Sequence, residues 1–362
     1  MPALPVGRLV VGGFDGTTLP APFARALRDG ERGGAILFKR NVGGGPLQVA
    51  ALARELHAAT PGPPLVGVDQ EGGRVARLGE PLLRVPAMRT IASWGDVELA
   101  ERIARAVAGE LAALGFTVDF APVLDVNTCA ENPVIGDRAF GDDPATCARF
   151  GSAWIRGLQS AGILACGKHF PGHGDTTRDS HVDLPAVDHP RERLESVELV
   201  PFRAAVATGV ASLMTAHVVF PAIDARVPAT LSRAVCTDLR EAIGFGGMLI
   251  SDDLEMKAIA ARWTIEDAAV GAVAAGCDAL LVCASDENQQ RAVDALAREA
   301  ERSAVFRVRC EAAIARVQRA CARATARPLD DVGVRDACGG PLARRLADEM
   351  ARRAEATGEV PA

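Results

Sequence analysis

The chain has 362 residues, a formal net charge of −6 at pH 7 and a hydrophobic fraction of 49%. This composition supports a large core and is not that of a disordered chain, and no apolar run reaches the ~20 residues that a membrane helix needs. Charges of both signs are mixed along the chain, which argues against a nucleic-acid-binding surface and for a soluble protein that acts on small molecules.

Cysteine usage indicates a reducing compartment. There are nine cysteines and no C-x-x-C pair, so we expect reduced core thiols and no zinc site. The N-terminal sequence MPALPVGRLVVGGFDG has no basic region ahead of a long apolar stretch, as a secretory signal would. We therefore predict a cytoplasmic protein with no cofactor, no membrane partner and no nucleic-acid partner.

Short apolar runs alternate with helix-compatible stretches along the chain. The eight predicted strands are Arg8–Gly13, Gly34–Phe38, Leu65–Asp69, Phe120–Val126, Ile163–His169, Ser212–Val219, Met248–Asp252 and Ala279–Ala284. Asp96–Leu114 and Pro144–Ala161 carry apolar residues at helical spacing. Eight strand–helix units predict an α/β fold, a (β/α)8 TIM-like barrel with extra C-terminal helices. A doubly wound open sheet is the alternative, although the glycines after the first strand do not fit G-x-G-x-x-G.

The sequence divides into two predicted parts. Residues 1–327 form the catalytic barrel domain, in which 286–326 supply one or two closing helices. Residues 328–362 form a linker and a helical tail that packs on or beside the barrel. Within this tail, Pro328–Gly340 is rich in helix-breaking residues and Leu342–Ala356 is a charged amphipathic helix. We expect the tail to serve packing or assembly.

Polar residues follow most of the predicted strands, whereas the strand beginnings are plain. The polar strand ends are 39–41, 69–71, 125–127, 168–169, 217 and 251–253. Barrel enzymes build their active sites from the loops at the C-terminal ends of the strands. The pattern therefore predicts a pocket at one mouth of the barrel.

The stretch KHFPGHGDTTRDSHVD, residues 168–183, is the densest group of titratable side chains. Four of the six histidines lie in it or just after it. Asp179 precedes His181 by two residues, and such an aspartate can orient and charge an imidazole. An imidazole both gives and takes a proton near neutral pH. A solvated loop histidine is the alternative.

A pair of aspartates, Asp252 and Asp253, closes the seventh predicted strand. Adjacent strand residues point to opposite faces, so we expect only one of the two to face the barrel mouth. A carboxylate held there serves as a nucleophile, a metal ligand or an acceptor for sugar hydroxyls. A helix-capping aspartate is the alternative.

Basic and acidic side chains at other strand ends predict a polar binding pocket. Asp69 is followed by glycines that let the chain turn, so Arg77 can fold back into the mouth. Arg138 lies on a predicted turn, and Lys168 and His169 end a strand. Together these groups match a neutral polyhydroxylated ligand, and they match an anion equally well.

Four motifs stand out together in the chain: KHFPGHGDTTRDSH, IGFGGMLISDDLEM, VDQEGGRVARL and NPVIGDRAFG. They resemble the motifs of the bacterial β-N-acetylhexosaminidases of glycoside hydrolase family 3, of the single-domain type that recycles peptidoglycan. The resemblance runs from about Gly12 to Ala284. It implies that Asp252 is the catalytic nucleophile and that His181 is the general acid/base with Asp179 as its partner. The residues it implies for holding N-acetylglucosamine are Asp69, Arg77, Arg138, Lys168 and His169.

The resemblance also implies the reaction. We expect a retaining exo-enzyme that removes terminal β-1,4-linked N-acetylglucosamine from muropeptides in the cytoplasm, acting as a monomer on a saccharide substrate. Larger family members carry a second domain that supplies the acid, and we expect this chain to have no room for one. Phosphorolysis, or chitobiase-type activity, on the same scaffold is the alternative.

Two readings outside this family stay open at the level of the sequence. One is a metal-dependent hydrolase with ligands drawn from His169, His173, Asp175, Asp179, His181 and His217. The other is a non-catalytic sugar-binding protein, which would keep Asp69 and Arg138 but would need neither Asp252 nor His181.

Overall fold

Eight parallel strands form a closed barrel inside a layer of helices. The computed structural model describes residues 4–176 and 184–358. Within these ranges the strands are β1 Val10–Gly12, β2 Gly34–Leu37, β3 Leu65–Val68, β4 Gln70–Gly72, β5 Val75–Ala76, β6 Val118–Asp119, β7 Leu164–Phe170, β8 Ser212–Thr215, β9 Met248–Asp253 and β10 Ala279–Val282. The order around the barrel is β1-β10-β9-β8-β7-β6-β3-β2, and β4 and β5 form a separate antiparallel hairpin. The predicted (β/α)8 barrel is confirmed.

Helices follow the barrel strands and continue beyond the last one. Their bounds are α1 Ala21–Arg28, α2 Lys39–Val42, α3 Pro46–Ala59, α4 Met88–Ser93, α5 Val97–Leu114, α6 Pro144–Ser160, α7 Arg191–Ser196, α8 Leu199–Ala207, α9 Arg240–Ala242, α10 Lys257–Ala260, α11 Ile265–Ala275, α12 Asp286–Arg302, α13 Ala304–Arg323, α14 Asp331–Ala337 and α15 Pro341–Thr357. The two predicted helices are α5 and α6. Asp96 and Asp143 cap them by accepting from Leu99 N at 2.9 Å and Thr146 N at 2.8 Å.

Strand side chains divide between two hydrophobic cores. Val10 and Leu37 pack outward with the helices, whereas their neighbours Val11 and Ile36 point into the barrel. This division follows from the period of two along a strand. Because both faces are buried, the strands read as nearly continuous apolar runs.

One glycine in β3 leaves room inside the barrel. A Cβ atom added to Gly67 would lie 2.6 Å from the ring of Phe120. Phe120 is fully buried and belongs to the inner core. The absence of a side chain at Gly67 therefore lets an aromatic ring fill the barrel interior.

The fourth predicted strand was placed too late in the chain. The strand β6 is Val118–Asp119, and residues 120–126 are irregular apart from one bridge between Val123 and Lys168. Pro122 has no N–H to donate to a ladder, which interrupts regular pairing. The backbone nevertheless stays bonded to β7, since Lys168 N donates to Pro122 O at 3.1 Å.

The C-terminal residues pack on α3 and α5. The predicted linker 328–340 contains a helix, α14, which lies against both. Leu329 N donates to Ala113 O at 2.9 Å, and Gly339 N donates to the buried Glu110 at 2.8 Å. In α15, Arg353 binds Asp96 at 2.7 Å. The division into a barrel of 1–327 and a tail of 328–362 stays a prediction.

All nine cysteines lie within the described ranges, and none is in a disulfide. Eight of them are buried, and Cys129 is partly exposed. Across residues 4–176 and 184–358, the structure contains no helix with the length and apolar character that crossing a membrane requires.

Candidate active site

A cavity of about 250 Å³ lies at the C-terminal ends of the barrel strands. Six of the residues singled out in the sequence line it: Asp69, Arg77, Arg138, Lys168, His169 and Asp252. They come from elements that are far apart in sequence, and the barrel brings them to one mouth. Their roles stay predictions, and Asp179 and His181 lie outside the described residues.

Lys168 joins two carboxylates at the base of the cavity. Its Nζ atom donates to Asp69 Oδ1 at 2.9 Å and lies 2.6 Å from Glu71 Oε1. Burial alone would lower the pKa of Lys168, but the charges of Asp69 and Glu71 outweigh it and raise that pKa. Asp69 Oδ2 also accepts from Arg77 at 3.0 Å. The ammonium group therefore stays charged and fixes both carboxylates.

Glu71 and Arg138 form a buried bidentate ion pair. Two guanidinium nitrogens of Arg138 each donate to a Glu71 oxygen at 2.8 Å, and Glu71 is only 2% exposed. Burial works to raise the pKa of Glu71, but the charges of Arg138 and Lys168 hold it well below its usual range. Sequence reasoning assigned no role to Glu71, although a second carboxylate two residues after Asp69 at a strand end was a signal for one.

His169 is held from behind by a buried carboxylate. Its Nδ1 atom lies 2.7 Å from Asp125 Oδ2, and the backbone N–H groups of His169 and His173 donate to the same carboxylate. Burial favours a higher pKa for Asp125, but His169 and these hydrogen bonds lower it. Asp125 therefore fixes the ring orientation of His169 and leaves Nε2 as its second polar atom. From the sequence, Asp125 was only a polar strand end.

Both aspartates at the end of β9 line the cavity, so the expectation that only one of them would face the mouth is wrong. The pairing of β9 with β10 shifts register between Ile250 and Asp253. Such a β-bulge interrupts the normal alternation of side chains.

The two carboxylates nevertheless differ in their partners. Asp253 Oδ1 accepts from the backbone N–H groups of Glu255 and Cys283 at 3.1 and 3.2 Å. Asp252 Oδ1 accepts from Asp253 N at 2.8 Å, and Asp252 Oδ2 has no hydrogen-bond partner among the described residues. Asp252 therefore presents the carboxylate oxygen that is available to a substrate.

The charge states of this pair also differ. Burial raises the pKa of Asp253 to about 7. Burial pushes the pKa of Asp252 upward too, but the fields of His217 and His169 outweigh it, and the net shift is downward. Asp252 is therefore ionised at neutral pH.

His217 supports the end of β9. Its Nε2 atom lies 2.9 Å from Asp253 O, and its Nδ1 atom lies 2.8 Å from Thr230 Oγ1. The ring is 1% exposed and bridges the end of β8 to the strand that carries Asp252. The sequence marked His217 as a strand end or a metal ligand, but not as a support for the neighbouring strand.

The described histidines that a metal-dependent hydrolase would use already have other partners for a ring nitrogen. Nδ1 of His169 lies 2.7 Å from Asp125, Nδ1 of His173 lies 3.0 Å from Thr176, and Nδ1 of His217 lies 2.8 Å from Thr230. A separate group, which we call the stem cluster, consists of Asp175, His189, Arg193 and Glu198. Potential ligand atoms of Asp175, His189 and Glu198 lie within 4.8 Å of one another, but Arg193 Nη2 already lies 3.6 Å from Asp175 and 3.2 Å from Glu198. The cation that neutralises these carboxylates is thus a guanidinium.

A second cavity, of about 660 Å³, lies beside the first. Residues 73–90 and one face of α15 line it, including Met350 and Ala354. Arg77 lines both cavities. The C-terminal helix therefore contributes to the surroundings of a predicted sugar-binding residue.

Comparison with known proteins identifies the family. Residues 19–320 match the N-terminal domain of glycosyl hydrolase family 3. The chain belongs to this family. A β-hexosaminidase of Thiobacillus denitrificans is 44% identical over 275 residues, which cover 74% of this chain and 76% of that protein. The enzyme is accordingly a glycosidase of the β-hexosaminidase type, and the alternative of a non-catalytic sugar-binding protein is wrong.

Solved structures agree with this assignment. The family 3 β-N-acetylglucosaminidase from Paenibacillus sp. str. FPU-7 superimposes with a TM-score of 0.86 at 38% identity, covering 98% of this chain and 68% of that one. NagZ from Neisseria gonorrhoeae, in complex with N-trifluoroacetyl-D-glucosamine, gives a TM-score of 0.78 at 32% identity, covering 98% of this chain and 100% of that one.

Proposed function

We propose that the enzyme is a retaining exo-β-N-acetylglucosaminidase that removes terminal N-acetylglucosamine from muropeptides in the cytoplasm, acting as a monomer. One observation carries the proposal. Asp252 Oδ2 has no hydrogen-bond partner among the described residues, and Asp252 faces the same small cavity as Asp69, Arg77, Arg138, Lys168 and His169.

The size of the cavity supports removal of one sugar at a time. At about 250 Å³ it lies just below the ~300–1,000 Å³ of pockets for drug-sized ligands. Lys168, Arg77 and Arg138 offer donors to sugar hydroxyls, while Asp69 and Glu71 offer acceptors. Both signs of charge are present in nearly equal number, which suits a neutral sugar better than an anion.

In the proposed reaction Asp252 attacks the anomeric carbon through an oxocarbenium-like transition state. The bond from that carbon to the leaving oxygen breaks, and His181 supplies the proton to that oxygen. In the second step His181 takes a proton from water, which displaces Asp252 and restores the β-configuration. Asp179 orients His181 and stabilises its cation.

The nucleophile is tested by Asp252→Asn. We expect kcat on a chromogenic β-N-acetylglucosaminide to fall by roughly 10³-fold or more, because covalent catalysis is lost. Asp253→Asn is the matched comparison, and its loss should be far smaller because its carboxylate binds backbone N–H groups. An NMR time course in which the α-anomer appears first would reject the retaining mechanism.

The substrate is tested by steady-state kinetics on a muropeptide and on chitobiose, each with and without phosphate. We expect a higher kcat/KM for the muropeptide and no dependence of rate on phosphate. A preference for chitobiose would reject the muropeptide assignment, and a sugar phosphate product would establish the phosphorylase alternative.

A further inference from the structure

The stem cluster connects the two ends of the segment 177–183. Asp175 lies just before this segment and His189 lies beyond its other end. His189 Nε2 is 2.7 Å from Asp175 Oδ2, which closes a loop between residues 14 apart in sequence. This segment includes Asp179 and His181, the predicted partners in acid/base catalysis.

Asp175 is tied to the barrel as well as to His189. Thr128 Oγ1 donates to Asp175 Oδ2 at 2.8 Å, and Arg193 Nη2 lies 3.6 Å from the same oxygen. Arg193 also donates to Glu198, which is 2% exposed and leaves Oε2 with no hydrogen-bond partner in the described ranges. Less than a third of each side chain in the cluster is exposed. These contacts are thus shielded from water more than a surface ion pair would be.

Further contacts fix each end of the segment to the scaffold. On the β7 side, Thr176 Oγ1 lies 3.0 Å from His173 Nδ1. On the other side, Val187 N donates to Val219 O at 2.9 Å, in the stretch that follows β8. The contact between Asp175 and His189 is therefore a direct link between two ends that are each anchored to neighbouring strands.

No member of the stem cluster lines the 250 Å³ cavity. A role in sugar binding is therefore not the reason for this arrangement. Joining two residues 14 apart in sequence and ordering their side chains costs conformational entropy, so this arrangement indicates that the relative position of residues 175 and 189 matters.

We infer that Asp175 and His189 are positioning residues for the acid/base step, because they set the distance between the two ends of the segment that carries Asp179 and His181. The inference rests on the proposed function. Catalytic groups that are misplaced by about 1 Å lose on the order of 10²-fold in rate. Neither residue exchanges a proton with the substrate.

The dependence of rate on the leaving group separates positioning from a general structural role. Chitobiose has a sugar alkoxide as its leaving group and needs a proton from the acid, whereas 2,4-dinitrophenolate leaves without one. A displaced acid therefore slows chitobiose cleavage selectively. A smaller folded fraction, or a damaged sugar pocket, slows both substrates by the same factor.

The test compares Asp175→Asn and His189→Gln with the wild-type enzyme on chitobiose and on 2,4-dinitrophenyl β-N-acetylglucosaminide. We expect kcat/KM for chitobiose to fall by about 10–100-fold and that for the dinitrophenyl substrate by less than about 3-fold. The double variant should lose no more than the more impaired single variant, because one contact is removed in each. An equal loss on both substrates, no loss on either, or additive losses would overturn the inference.

His57→Gln is the matched control. His57 is half-buried, and its Nε2 atom lies 2.8 Å from Gly115 O near the end of α3, away from the strand ends. It should leave the ratio of the two kcat/KM values unchanged. If the wild type cleaves both substrates and the variants keep its ratio, the inference alone is rejected. If the wild type cleaves neither substrate, the proposed function is rejected and the inference with it.

Discussion

Lys168 shows how a single residue organises the binding side of the cavity. Lys168 lies within β7, and its ammonium group contacts two carboxylates that come after β3 in the chain. Asp69 and Glu71 share this partner, so removal of the ammonium would leave each carboxylate with a single cation, Arg77 for Asp69 and Arg138 for Glu71. Breaking such a buried network by removing one partner typically costs about 3–5 kcal/mol.

Asp119 lies just beneath this network, and its charge is poorly satisfied. Asp119 Oδ1 accepts from Gln70 N at 2.9 Å, but Oδ2 is buried with no hydrogen-bond partner in the described ranges. Burial raises the pKa of Asp119 to about 7. The folded protein therefore holds a proton on Asp119 more tightly than the unfolded chain does, up to that pH.

The sign of the resulting pH dependence is opposite to that of a salt-bridged carboxylate. Since the folded-state pKa of Asp119 is above its unfolded value, the free energy of unfolding falls as pH rises from about 4 to about 7. We expect Asp119→Asn to remove this contribution. The stability of the variant relative to the wild type should therefore rise by roughly 1–3 kcal/mol between pH ~5 and pH ~8, as measured by denaturant unfolding.

Asp143→Asn serves as the comparison for that experiment. Asp143 is an exposed helix cap whose pKa is lowered by hydrogen bonds from Thr146, so it titrates below this pH range. Its stability difference from the wild type should stay constant across the range. Parallel curves for Asp119→Asn and the wild type would contradict the assignment.

Sequence reasoning identified the charged residues at strand ends. It did not identify the residues that fix the positions of those side chains. Asp69 follows β3, whereas Lys168 and Asp252 lie in the last residues of β7 and β9, and the barrel rule predicts where strand ends meet. Asp125 and His217 act through other residues, and nothing in a linear sequence states which side chain a buried histidine will contact.

At the scale of elements, irregular backbone shapes the mouth of the barrel. The register shift in β9 turns both Asp252 and Asp253 toward the cavity. The stretch 120–126 replaces regular β-pairing with single hydrogen bonds to β7. Alternation rules place residues correctly within regular strands such as β2, but a bulge or a proline changes the period locally, and hydrophobic patterns do not show by how much.

Gly174 packs very closely against the backbone of the irregular stretch 120–126. A Cβ atom added there would lie 1.8 Å from Val126 O, in the stretch that carries Asp125. We expect Gly174→Ala to lower the free energy of unfolding by about 1–3 kcal/mol, because backbone atoms have to move apart. It should also reduce kcat/KM, since the displaced turn leads directly into the stem cluster. Thermal or denaturant unfolding together with a chromogenic assay measures both effects.

Gly141→Ala is a nearby control for this substitution. The nearest atoms to a Cβ atom at Gly141 are 3.8 Å away, an ordinary van der Waals distance. We expect little change in stability or activity. Equal stability and equal activity of the two alanine variants would contradict a destabilising contact between the added Cβ atom at position 174 and Val126.

At the scale of the whole molecule, the C-terminal residues are part of the hydrophobic core. Leu346 and Met350 of α15 belong to the same cluster as the residues between the barrel and its helices. Amphipathic spacing predicted this helix, and breaker residues predicted a linker before it. The short helix α14 was not predicted, because Gly333 and the nearby prolines have low helix propensity. Packing against the rest of the protein stabilises the helix in spite of that propensity.

Leu346 and Leu342 provide a matched pair on α15. Leu346 is 2% exposed, whereas Leu342 is 50% exposed. We expect Leu346→Ala to cost about 2–5 kcal/mol of unfolding free energy through lost burial and a new cavity, and Leu342→Ala to cost less than about 1 kcal/mol. Equal losses would show that α15 does not pack stably in solution.

The cavity between residues 73–90 and α15 bears on inhibitor selectivity. It is partly walled by residues beyond 320, where the match to the family domain ends. A glycone mimic that carried a substituent past Arg77 would contact Met350 and Ala354 as well as the sugar pocket. Such a compound would distinguish this enzyme from hexosaminidases that share its catalytic motifs but have other side chains at those positions.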